Sequence, residues 1–77
     1  MEKLRIYLND MEGPQQIAFA DSCETTIGYL RKAISDGQLL NPKTCVRIEK
    51  NSNFSVTRKD LRPDDWIEFW PELAEAA

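Results

Sequence analysis

Seventy-seven residues, 42% hydrophobic and 30% charged, supply enough apolar side chains for one core, so a single ordered domain spanning 1–77 is expected. The formal net charge of −3 weighs against a protein that coats polyanions by bulk charge, and no apolar run reaches the ~20 residues that cross a bilayer. The absence of histidine removes the usual general base and the commonest zinc ligand, while Cys23 and Cys45 form no C-x-x-C pair.

Lys3-Leu4-Arg5-Ile6-Tyr7-Leu8 alternates, with Leu4, Ile6 and Leu8 on one side, and predicts a half-buried strand. A turn over 9–14 leads to Gln16-Ile17-Ala18-Phe19, a second strand with Ile17 and Phe19 inward. Thr25 or Thr26 then caps a helix that starts near Ile27, carries Ile27, Leu30, Ala33 and Ile34 on one stripe, and ends at Asp36-Gly37. Leu39-Leu40 folds back onto the core before an Asn41-Pro42 turn. Cys45-Val46-Arg47-Ile48-Glu49 and Phe54-Ser55-Val56 read as a second hairpin, Leu61 as an isolated core plug, and Trp66-Ile67-Glu68-Phe69-Trp70 as a closing strand stopped by Pro71. Residues 71–77 are expected to form a flexible acidic tail.

This order, strand, strand, helix, strand, short strand, strand, is that of an α+β protein of the β-grasp type, with a mixed sheet wrapped on one helix. Thr26-Ile27-Gly28-Tyr29-Leu30 resembles the helix start of the ubiquitin-like sulfur carriers of molybdopterin and thiamine synthesis. Leu61-Arg62-Pro63-Asp64-Asp65-Trp66-Ile67-Glu68-Phe69-Trp70-Pro71 resembles their closing segment. The resemblance implies a ubiquitin-like fold whose open sheet face docks other proteins. The C-terminal Gly-Gly that such carriers adenylate is missing, since the chain ends Pro71-Glu72-Leu73-Ala74-Glu75-Ala76-Ala77.

No catalytic, metal or cofactor site emerges. Asp64-Asp65 reads as a turn rather than a carboxylate pair, and Gly13, Gly28 and Gly37 form no phosphate loop. If Ile67 and Phe69 face the core, Trp66, Glu68 and Trp70 face outward, joined by Arg5, Tyr7 and Arg47 from neighbouring strands, in the composition of a binding hot spot. The expected function is a non-catalytic module that binds another protein, or a second copy of itself, through that face. A degenerate sulfur carrier is the alternative. Binding of nucleic acid through Lys43, Arg47, Lys50, Arg58, Lys59 and Arg62 ranks lower, because five acids and no basic residue follow Pro63. A cytoplasmic location with no membrane contact and two free thiols completes the expectation.

Overall fold

The computed structural model describes residues 1–75, which contain helices and no strand. Four longer helices, α1 (Glu2–Asn9), α2 (Gly13–Ser22), α3 (Ile27–Asp36) and α4 (Pro42–Asn51), are followed by three single turns, α5 (Arg58–Leu61), α6 (Trp66–Phe69) and α7 (Glu72–Glu75). The β-grasp expectation is therefore overturned, and with it the likeness to ubiquitin-like carriers: there is no sheet for a helix to rest in.

The reason lies in short alternating runs that satisfy two periods at once. Leu4 and Leu8 are spaced for either a strand or a helix. Ile6 decides, because it is 56% exposed while both leucines are fully buried. Met1, Leu4, Leu8 and Met11 all reach the core, and their spacing of three, four and three is helical. In α2, Phe19, Ala20 and Cys23 face inward, and Ile17, expected inside, is 60% exposed. Asn41-Pro42 is the start of α4 rather than a turn. The Asn41 side-chain oxygen accepts the Thr44 backbone N–H at 2.9 Å, and proline at the first helical position leaves no N–H unpaired. The expected short strand at 54–56 is a loop in which Asn53 and Phe54 take positive φ and only Val56 is buried.

One helix is where the sequence places it. Thr26 Oγ1 accepts the Tyr29 N–H at 3.1 Å, and Gly37, at φ 66°, closes the helix in the left-handed conformation. Leu30 and Ala33 are buried, with Ile27 and Ile34 packed at the margin of the core. Leu61 is a core plug as expected, whereas of Leu39-Leu40 only Leu40 is buried. Both cysteines are unpaired and buried.

The C-terminal segment folds back onto this body. Trp70 is 8% exposed and lies under the Arg58 guanidinium, 5.3 Å from its ring centre. Arg58 is held by Glu49, whose two carboxylate oxygens accept its Nε–H at 2.9 Å and its backbone N–H at 3.0 Å. Arg62 donates to the Leu40 carbonyl at 3.0 Å and to Asp65 at 2.7 Å, and its guanidinium covers Phe69. Leu73 packs against the core, so α7 occupies part of the expected tail; Ala76 and Ala77 lie outside the described residues.

Two stability tests follow from this packing. Glu49→Ala leaves a largely buried guanidinium and an N–H of α5 without their acceptor and lowers unfolding free energy by about 3 kcal/mol, read from the urea midpoint. Lys32→Ala, which breaks an exposed pair with Asp36, changes it by less than about 0.5 kcal/mol. Burial pushes the Cys45 thiol from 9.0 to about 11. The folded chain thus holds that proton more tightly than the unfolded one, so the thiol's contribution is complete below pH 9 and is lost as pH climbs toward 11. Native Cys45 is expected to resist iodoacetamide at about pH 8 and to react once urea unfolds the chain; rapid labelling without denaturant contradicts this.

Candidate nucleic-acid interface

The six residues expected to share a docking face are scattered over helices. Arg5 is exposed on α1 and pairs with Glu2 one turn earlier. Tyr7, also on α1, is half-buried and packs edge-on against Phe19, with ring centres 5.2 Å apart. Arg47 extends from α4 to Glu24 at 3.1 Å. On α6 the expected inside and outside are exchanged: Ile67 is 50% exposed, whereas Trp66 and Trp70, one helical turn apart, turn inward. Lys59 sits 4.4 Å above the Trp66 ring, and Glu68 is exposed. With no sheet, the proposed sheet-face module loses its surface.

What the chain does build is a helix pair joined by a tight turn. α2 ends in a left-handed closure at Glu24, φ 60°, where the Thr25 N–H bonds to the Ala20 carbonyl and the Glu24 N–H to that of Asp21, each at 3.0 Å. Two residues later Thr26, in extended backbone at φ −122°, caps α3. Residues 23–26 thus form a four-residue turn, a length that joins the helices of αα-hairpins and of helix-turn-helix units alike. Cys23 is fully buried beneath it, and Ala20, 1% exposed, is small enough to let neighbouring helices approach closely.

Four side chains fix the unit in place through polar contacts. Gln16 Nε2 donates to the carbonyls of Leu8 at 2.8 Å and Met11 at 3.0 Å, satisfying the end of α1. Arg31 donates to Asn9 Oδ1 at 2.9 Å, tying α3 to the same corner. Arg47 holds Glu24, and Asn51 Nδ2 reaches the Ser22 carbonyl at 3.4 Å, so α4 clasps the turn from the other side. The outer face of α3 remains open: Thr26, Gly28, Tyr29, Lys32 and Ser35 are all exposed. A Cβ built at Gly28 meets nothing within 4 Å.

Of these residues, only Arg47 is among those the sequence places on a binding face, and for another reason. The helix pair was legible in the Gln16, Phe19, Ala20 and Cys23 spacing of three, one and three, a helical stripe running directly into the Thr26 cap. No helix among the described residues is long and apolar enough to cross a membrane, and no group of three or more potential metal ligands occurs among them. No family model, no curated protein and no solved structure matches the chain.

Gln16→Ala frees two carbonyls at the α1–α2 corner. It is expected to cost about 1–2 kcal/mol in a urea titration; an unchanged midpoint shows that the corner does not depend on this side chain.

Proposed function

We propose that this domain is a non-catalytic, cytoplasmic DNA-binding unit that lays α3 in the major groove of duplex DNA. The observation that carries the reading is the bare outer face of a helix held by a four-residue turn and clasped on both sides. A helix with its side chains is ~10–12 Å across and the major groove is ~12 Å wide, so an unencumbered face is the requirement for entry. Gly28 in the first turn of α3 supports it, since the absent side chain lets backbone come close to base edges.

The charge distribution is compatible with this. Through Arg62 the chain has ten basic and eight acidic residues; from Pro63 onward it has five acidic and none basic. From Thr26 to Thr44, a span covering α3, the loop after it and the first turn of α4, Arg31, Lys32 and Lys43 face a single acid, Asp36. About three cations near phosphate give modest affinity, and log K is expected to fall with log salt at a slope of roughly −2 to −3.

The test is anisotropy of a labelled random-sequence duplex at low salt. The natural chain is expected to bind with a dissociation constant in the roughly micromolar to 100 micromolar range. Gly28→Glu projects a charged side chain from the open face without touching any neighbour, so it is expected to keep or raise the melting temperature while weakening DNA binding at least about tenfold. Absence of binding by the natural chain, or equal binding by the variant, sinks the reading.

A further inference from the structure

If α3 enters the groove as proposed above, its outer face holds few side chains that can read a base, and we infer that Tyr29 and Lys32 set the sequence preference. Lys32 takes the O6 and N7 acceptors of a guanine, and the Tyr29 ring rests on the methyl group of a thymine one or two base pairs away. Of the other residues on α3, Ser35 is exposed but short and lies in the last turn, and the rest are engaged or lack a side chain. Arg31 is turned back to Asn9 at 2.9 Å, the Thr26 oxygen accepts the Tyr29 N–H at 3.1 Å, and Gly28 has no side chain.

Tyr29 and Lys32 stand three residues apart, so their Cβ atoms are about 5–6 Å from one another. Stacked base pairs rise about 3.4 Å, and the two side chains therefore address adjacent or next-adjacent pairs. Tyr29 is 42% exposed and offers an apolar ring surface, which suits a thymine methyl better than the polar edges around it. Lys32 pairs with Asp36 at 3.1 Å, but both side chains are largely exposed, so the ammonium can be redirected to a guanine at little cost. Asp36 penalises a bare acceptor edge near it unless Lys32 stands between the two, which sharpens the demand for that lysine.

The experiment begins by selecting retained duplexes from a random pool with the whole chain. The selected site is expected to hold a T and a G within two base pairs. Replacing that T by uracil, which removes only the methyl, is expected to weaken binding about fourfold. Replacing that G by 7-deazaguanine, which removes the N7 acceptor, is expected to weaken it about tenfold. Tyr29→Ala should abolish the first effect and leave the second; Lys32→Met, which keeps the aliphatic stem, should do the reverse, with both variants folded by circular dichroism. Retention of specific duplexes in which neither atom matters, or variants that keep both discriminations, overturns the assignment while leaving DNA binding intact. Retention of no duplex at all overturns this assignment together with the reading on which it rests.

Discussion

The direction in which α3 leaves the body is set at Glu24. There the chain turns left-handed, and two hydrogen bonds return to the last turn of α2 before extended backbone at Thr26 opens the next helix. A side chain other than glycine in that region costs about 1 kcal/mol, so the conformation persists because its surroundings demand it. Those surroundings are visible: Cys23 sealed beneath the turn and Arg47 drawing the Glu24 carboxylate toward α4. Burial pushes the Cys23 thiol up, so it stays protonated and uncharged where an apolar plug is required. Were the turn to relax, α3 would lose its angle to α2, and the five exposed residues of its outer face would no longer be presented as one ridge.

The C-terminal third solves a different problem. Three single turns cannot hold themselves together, since isolated helices shorter than ~12 residues are marginal in water. They are instead pinned by cations on aromatic rings, Arg58 on Trp70, Lys59 on Trp66 and Arg62 on Phe69, with Glu49 and Asp65 fixing two of the guanidiniums. The basic residues that made 43–62 look like a polyanion-binding stretch are thus largely occupied within the protein. Arg58, Arg62 and Arg47 each have a carboxylate partner, and what remains free for an external ligand is Lys43, Lys50 and the outer face of α3.

How far the sequence could lead depends on the length of each pattern. α3 was legible because ten residues carry a cap, an amphipathic stripe and a terminal glycine that agree with one another. α1 and α2 were misread because four to six alternating residues fit both periods, and the deciding residues, Met1, Met11, Ala20 and Cys23, lie outside those short runs. α6 was misread because its single turn is stabilised by contacts remote in sequence, which no local pattern encodes. Glu24 gave no warning at all, as nothing in its residue type announces positive φ. The candidate site was hidden by these same errors: it is built on a pair of helices, and only the second had been seen.

Net charge describes the whole molecule better than any one face of it, for a reason that scale explains. The molecule measures 37 by 25 by 20 Å, whereas at physiological salt the field of a surface charge decays over ~8 Å. Five acids gathered after Pro63 lower the sum without setting the potential at every face, and a ligand approaching α3 responds first to what lies within a Debye length of it. With only Lys32, Arg31 and Lys43 along that stretch, phosphate attraction would supply no more than the weak, sequence-independent binding expected of a random duplex. Affinity must then come disproportionately from close fit of the helix to base edges, which is why a glycine in its first turn and an unpartnered tyrosine beside it carry more of the argument than the count of cations does.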